Sequence, residues 1–182
     1  MSEPRWSCVW EDDLPADAHR ELAALLRRGF PRSRAGFPDA TSWASARPEL
    51  RLVGYRDDRP VAHLGILRRI VQVGSESLLI GDVGLVAVDP DLQGSGLGAR
   101  LLGRAAAVLD RLELPFGFLT CGEHVAGFYT AGGWVRVPNP VRMIRADDRV
   151  QVYGGVAMAL AVRAPIEAWP QTGRLDRNGY EV

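Results

Sequence analysis

The sequence predicts an α/β (α+β) fold: one mixed, mostly antiparallel central sheet flanked by helices. Three observations predict it. Apolar segments between residues 50 and 88 are broken only by short turns, the pattern of a three-stranded antiparallel meander. A glycine-rich turn then leads into an amphipathic helix and a further apolar strand, the order a parallel crossover requires. The 182 residues are 47% hydrophobic and 24% charged, enough for one substantial core and ordinary for a globular chain.

The elements follow in order. Trp6 to Trp10 reads as a short strand, and Asp17 as the N-cap of a helix whose Leu22, Leu25 and Leu26 share one face. Gly29 and Pro31 end that helix. From Phe30 to Arg47 the chain is polar and rich in Pro, Gly, Ser and Arg, with Phe37 and Trp43 interleaved, which predicts an ordered loop or a short helix beside a substrate cleft. Leu50 to Tyr55, Val61 to Val73 and Leu78 to Val88 are the meander, turned at Arg56-Asp-Asp-Arg59 and at Gly74. Leu97, Leu101, Leu102, Ala105, Val108, Leu109 and Leu112 recur on one helical face, Leu114-Pro115 stops the helix, and Phe116 to Thr120 is the next buried strand. Val141 to Ile144 and Tyr153 to Val162 are weaker strands, followed by a tail rich in Pro, Trp and Gly as far as Val182. All of 1–182 reads as a single domain.

The segment Val86-Ala87-Val88-Asp89-Pro90-Asp91-Leu92-Gln93-Gly94-Ser95-Gly96-Leu97-Gly98 carries the chemistry. Backbone N–H groups of a glycine-rich turn, with the unpartnered N–H groups at a helix start, hold a pyrophosphate without a basic side chain. The spacing matches neither the dinucleotide fingerprint nor the Walker loop, which closes on Lys. This chain has no Lys at all; its 22 cationic residues are all Arg.

Gln93-x-x-Gly96-x-Gly98 after Val86-x-Val88-x-Pro90 resembles the coenzyme A loop of the GCN5-related N-acetyltransferases, and Phe128-Tyr129-x-x-x-Gly133-Trp134 resembles their C-terminal motif. The predicted β-α-β-β-β-α-β-α-β-β order is also theirs. Two amino-sugar-acylating groups are similar beyond these motifs. Ser42-Trp43-Ala44-x-Ala46-Arg47-Pro48-Glu49, Gly54-Tyr55, His63-x-Gly65-x-Leu67-Arg68-Arg69, Pro115-Phe116-Gly117-Phe118, Trp169-Pro170 and Asp176-Arg177-Asn178-Gly179 resemble the nodulation N-acyltransferases NodA. That resemblance implies transfer of a long acyl chain from a carrier protein to a glucosamine 2-amine. Leu67-Arg68-Arg69, Gly84-x-Val86-Ala87-Val88 and the Tyr129 motif are similar to the aminoglycoside 2′-N-acetyltransferases. Because the chain keeps the full loop and the Tyr-containing ending, the expected reaction is acetyl-CoA-dependent acetylation of an aminoglycoside 2′-amine, a kasugamycin-like sugar included, conferring antibiotic resistance. The alternatives are a NodA-like transfer of a longer acyl group and a non-catalytic acyl-CoA-binding protein.

An amine attacks a thioester only when deprotonated, so a base, an oxyanion stabiliser and an acid for the thiolate are required. The resemblance implies Asp82 as the base and Tyr129 as the acid. It places acetyl-CoA on Val86, Ala87, Val88, Gln93, Gly94, Ser95, Gly96, Leu97 and Gly98, with the Val86 N–H polarising the carbonyl at a bulged strand. Asp39, Trp43, Glu123, Glu181 and the Val182 carboxylate are candidates to receive a cationic sugar. His63, alternating with apolar residues on its strand, faces either the cleft or a structural hydrogen bond, and Glu123 and His124, just after the Phe118 to Cys121 strand end, are the second-choice candidates for the base.

Twenty-two acidic residues balance the 22 Arg, so no basic surface points to nucleic acid or an anionic membrane. No segment has the roughly 20 apolar residues of a membrane span, and Met-Ser-Glu-Pro does not start a signal peptide, so a cytoplasmic location is expected. Cys8 and Cys121 with three scattered His make neither a disulfide framework nor a zinc site, and no metal is expected. The expected partners are a small amino-sugar molecule and, at most, a second copy in a homodimer.

Overall fold

The chain turns at Asp57 and Asp58, both at positive φ (48° and 58°), the conformation that matches a two-residue loop to the twist of its strands. The computed structural model describes residues 3–33, 36–145 and 147–182. Its first half comprises β1 (Arg5–Trp10), α1 (Ala16–Gly29), β2 (Leu50–Arg56), β3 (Arg59–Val73) and β4 (Glu76–Val88). Then come α2 (Leu97–Arg111), β5 (Phe116–Cys121), α3 (Glu123–Ala131) and β6 (Val135–Arg136). The chain continues through β7 (Val141–Ile144), β8 (Val150–Val152), β9 (Val156–Ala161) and β10 (Leu175–Tyr180).

These strands make one mixed sheet in the order β6-β9-β5-β4-β3-β10-β7-β8, with β2 on β3 and β1 outside β2. Among the described residues only the β4–β5 and β10–β7 pairs are parallel, so the sheet is mostly antiparallel, as predicted. β3 is long enough to change neighbours: Arg59 to Ile66 pair with β2, whereas Gln72 and Val73 pair with β10.

α2 lies on one face with Leu97, Leu101, Leu102, Ala105, Val108 and Leu109 buried. It sits close: a Cβ on Gly81 or Gly117 would fall 2.2 or 2.8 Å from a Leu109 methyl. The opposite face carries a second cluster around Trp169, whose ring stacks on Phe118 (5.8 Å) and meets Phe116 edge-on (5.2 Å). Its indole N–H donates to Asn139 Oδ1 at 2.9 Å. α1 packs Leu25 and Leu26 against Leu85, Ala87 and Phe37, with Trp43 alongside, so the loop aromatics do have a surface to rest on.

Four local expectations are corrected. Pro15, with φ preset for entry, precedes α1, and Asp17 lies in its first turn paired with Arg20 instead of capping it. The strand expected over Tyr153 to Val162 is β9, which starts only at Val156 after Tyr153-Gly154-Gly155, and β8 is a separate short strand before that break. β6 is an additional two-residue strand against β9. The tail is not merely irregular: β10 is an inner strand of the sheet.

Candidate active site

β4 and β5 pair only from Ile80 to Asp82 against Phe116 to Phe118, and both continue beyond that point unpaired with one another. A gap therefore opens in the middle of the sheet. On its other edge β4 bulges: the register with β3 shifts between His63 and Gly65, and Leu85 takes φ +53°. A bulge re-aims the backbone beside it, here the Val86 to Val88 segment that faces the gap. His63 fixes this distortion. It is fully buried, donates from Nδ1 to the Leu85 carbonyl (2.9 Å) and accepts at Nε2 from Arg51 (3.2 Å). Burial and the Arg51 charge push its pKa down to about 3, so it is the neutral Nδ1–H tautomer. His63 belongs to the structure of the bulge and not to an open cleft.

Arg51 is itself sealed in, bonded by Nε (2.6 Å) and Nη2 (3.0 Å) to Glu11 and by Nη1 to the Ser42 carbonyl (2.8 Å). Burial would raise the Glu11 pKa, but hydrogen bonds from Arg51 and Arg47 hold it below the ordinary carboxylate range. His19 Nδ1 pairs with Ser42 Oγ at 2.9 Å and meets Trp43 edge-on, which ties the 42–47 loop to α1.

The glycine-rich loop runs from the end of β4 to α2. Asp89 accepts from the Asp91 N–H (3.1 Å) to start a short 3-10 turn, and Ser95 Oγ bonds back to the Leu92 carbonyl (2.6 Å). Gly94 and Gly96 sit at φ +77° and +78°, a conformation L side chains rarely adopt, and nothing lies within 4 Å of a Cβ built on either. Gly96 is the N-cap of α2, whose first turn holds no acidic residue. The cradle is open, unblocked and lined by backbone N–H groups, so the residues fit a pyrophosphate. Gln93, Leu97 and Gly98 complete it, Gly98 pressed so close to Phe128 that a Cβ would lie 2.7 Å from the ring.

Tyr129, on α3, stands edge-on to Phe128 (5.0 Å) and Trp134 (6.2 Å) and is almost buried. Burial raises its pKa, with Cys121 and Tyr153 nearby adding to the effect, so the phenol keeps its proton at neutral pH. It packs in the same cluster as Cys121, the last residue of β5, beyond the last β4–β5 pair.

The opposite face of the gap is built by the chain's final segment. Gly81 faces α2 and, three residues on, Gly84 faces the other way, where its Cβ would meet the Val182 backbone at 2.2 Å. Gly65 is covered by Pro48 and the Val182 side chain, and the Ala46 N–H donates to the Glu181 carbonyl at 2.8 Å. Loop and tail thus meet as one wall. Asp82 lies beneath it, wholly buried, with Oδ1 3.0 Å from Arg177 Nη2 and Oδ2 3.2 Å from Arg69 Nε. Burial raises its pKa and the two guanidiniums oppose that rise. Arg177 also donates to Thr120 Oγ1 (3.2 Å) and stacks on Phe118. Thr120 in turn donates to Glu181, whose side chain is 39% exposed.

The structure thus gathers Asp82, Glu181 and Val182 at one side of the gap and Val86, the cradle and Tyr129 at its margins. Two sugar-receiving candidates stand apart: Asp39 is an exposed turn residue, and Glu123 is held at the surface by Arg136 (3.1 Å), which lowers its pKa. Trp43 is half-buried under the Arg47 guanidinium (5.2 Å) on the loop side of the wall. Sequence reasoning assigned no role to Arg177, Arg51 or Glu11. Asp176-Arg177 enters the sequence reading only through its resemblance, and the one signal for Arg177 is its inward position on the strand.

The Nodulation protein A family profile matches residues 1–182. The chain belongs to the NodA family. It is 35% identical over 196 residues to Nodulation protein A of Methylobacterium nodulans, covering 100% of this chain and 91% of that protein. Against Nodulation protein A of Sinorhizobium terangae the figures are 34% over 197 residues, 100% and 99%. Among solved structures, it superposes on a GNAT family N-acetyltransferase from Escherichia coli in complex with CoA with a TM-score of 0.66, at 18% identity over 96% of this chain and 89% of that one. An acyl-CoA N-acyltransferase from Pseudomonas aeruginosa gives 0.60, at 22% identity over 87% and 99%. The NodA-family chain therefore has the GNAT acyltransferase fold. Among the described residues no helix is long and apolar enough to cross a membrane.

Proposed function

We propose that the chain is an N-acyltransferase that moves an acyl group from a pantetheine thioester, such as acyl-CoA, to the amine of an amino sugar. The observation that carries this reading is the gap between β4 and β5, bordered by an open anion cradle on one side and a carboxylate-bearing wall on the other. The cradle residues Gln93 to Gly98 hold the pyrophosphate, and Val86 to Val88 pair with the pantetheine arm as a substitute strand. The thioester carbonyl then lies at the bulge, where the Val86 N–H polarises it, and Tyr129 donates to the departing sulfur. Trp43, Glu181 and Val182 line the acceptor side; Asp39 and Glu123, solvated elsewhere, are left out of it.

The NodA family supports the alternative reading, with a glucosamine-type amine as acceptor in place of an antibiotic 2′-amine and a longer acyl chain as donor in place of acetyl. Antibiotic resistance is accordingly not part of the proposal. The test is thiol release from acyl-CoA donors of two to eighteen carbons with glucosamine oligosaccharides carrying a free 2-amine, against fully N-acetylated controls and a panel of aminoglycosides. The expected result is turnover only with the free amino sugar, rising with chain length. Turnover with aminoglycosides and acetyl-CoA alone would restore the acetyltransferase reading, and binding without thiol release would make the chain an acyl-CoA-binding protein.

A further inference from the structure

We propose that the Glu181 carboxylate is the base that takes the proton from the acceptor amine. The inference rests on the acyl-transfer reading above and assigns its missing proton acceptor.

Asp82, the carboxylate expected for this task, has no exposed surface and is clamped between Arg177 and Arg69. An amine cannot reach it without dismantling both ion pairs. Glu181 stands one layer further out on the same face. Its carboxylate is 39% exposed, yet it is not free to wander: Thr120 Oγ1 donates to Oε1, Arg177 Nη1 lies 3.6 Å from the same oxygen, and its own backbone carbonyl is held by the Ala46 N–H. One carboxylate oxygen is thus anchored and the other, Oε2, is left for a ligand.

The position fits the reaction. Thr120 lies on β5 two residues past the last β4–β5 pair, so Glu181 hangs over the open gap. Thr120, which anchors Glu181, and Cys121, which packs in the same cluster as Tyr129, are consecutive on β5, so Glu181 and Tyr129 stand on opposite faces of the end of that strand. Base and acid therefore stand on opposite sides of the place where the thioester carbon would be. The buried Asp82–Arg177 pair becomes the anchor that sets Glu181 in place, with Asp82 a positioning residue.

Proton and electron flow close without a further reactant. An ammonium acceptor gives one proton to Glu181, and the freed nitrogen lone pair forms the C–N bond at the thioester carbonyl. The C–S bond breaks as the tetrahedral centre collapses, the sulfur takes a proton from Tyr129, and the second nitrogen proton returns the phenol through water. Glu181 releases its proton to solvent.

The experiment compares the native chain with Glu181→Gln and Glu181→Asp, reading kcat/KM against pH with a glucosamine oligosaccharide and a long-chain acyl-CoA, and acyl-CoA Kd by calorimetry. The groups facing Glu181 are Arg177 on β10, Thr120 on β5, Asp82 on β4, Arg69 on β3 and Tyr153. None is altered by either substitution. Glu181→Gln is expected to lower kcat/KM by about 10² or more and to remove the acid limb of the profile, while acyl-CoA Kd stays within about twofold. Glu181→Asp keeps the acid limb at a reduced rate. Turnover of Glu181→Gln within about threefold of native, or acyl-CoA affinity falling in step with activity, would overturn the assignment. A native chain that releases no thiol with any amino sugar would overturn the transfer reading itself, and is seen before any substitution is made.

Discussion

The imidazole Nδ1 of His63 lies 2.9 Å from the carbonyl oxygen of Leu85, the residue whose positive φ makes the bulge in β4. A side chain in the middle of one strand thereby holds the backbone of its neighbour in a conformation that leucine otherwise avoids. The cost of a non-glycine residue at positive φ is about 1–3 kcal/mol, comparable to what a fully buried hydrogen bond with its partner can offset.

This arrangement predicts an acid-labile fold. His63 is neutral when folded, with its pKa depressed from 6.5 to about 3, so the unfolded chain binds an extra proton between those values. Its contribution to stability is present above pH 6.5 and is lost as pH falls towards 3. Between pH 7 and pH 5 the loss is about 2 kcal/mol. Thermal melts at both pH values check it: the native Tm falls, and His63→Gln, less stable at pH 7, loses much less on acidification.

Asp82→Asn tests a structural role against a chemical one. Removing the charge leaves Arg177 and Arg69 without their counter-ion in the core, and breaking a buried pair costs about 3–5 kcal/mol. The expected outcome is a large drop in the urea midpoint, with residual kcat/KM at permissive temperature retaining its acid limb. Loss of that limb in a stable Asp82→Asn protein would return Asp82 to the role of base.

Gly96→Val probes the cradle. The φ of +78° at the α2 N-cap strains any β-branched residue, although the space around a Cβ is empty. Acyl-CoA Kd should rise tenfold or more, about 1.4 kcal/mol, with the far-UV spectrum unchanged. An unaltered Kd would show that no pyrophosphate is held there.

Tyr129→Phe separates a proton donor from core packing. The ring contacts with Phe128 and Trp134 survive the change, so Tm should move little. Loss of a donor acting on the leaving sulfur should lower kcat about 10²-fold with acceptor KM nearly constant. Turnover within about threefold of native would mean that the thiolate leaves without Tyr129.

Much of the centre was legible because it follows local rules. The meander strands are continuous apolar runs bounded by short turns, α2 has a clean apolar face, and Gly94 and Gly96 announce the backbone conformation they adopt. The acceptor wall was less so. β10 buries Leu175 and Arg177 and exposes Asn178, and a strand whose inward positions include an arginine breaks the apolar alternation that identifies strands. Asp82 read as a base because its partners, Arg69 and Arg177, are brought to it only by the sheet order β4-β3-β10. A carboxylate's chemistry depends on what sits opposite, and pairing across distant strands leaves no local trace. Glu181 was foreseen as a sugar contact, but its anchoring by Thr120 required the tertiary fold.

β10 joins β3 to β7 across most of the length of the chain. Closure of so large a loop is entropically slow, and folding rates fall as contacts become less local. The sheet must therefore wait for β10, and until it docks the second half of β3 and one edge of β7 offer unpaired backbone to any passing strand. Because the same strand carries Arg177 into the core and leads directly to Glu181, a half-folded chain has no acceptor wall. Activity and escape from aggregation should thus appear together, in a single late kinetic phase of refolding.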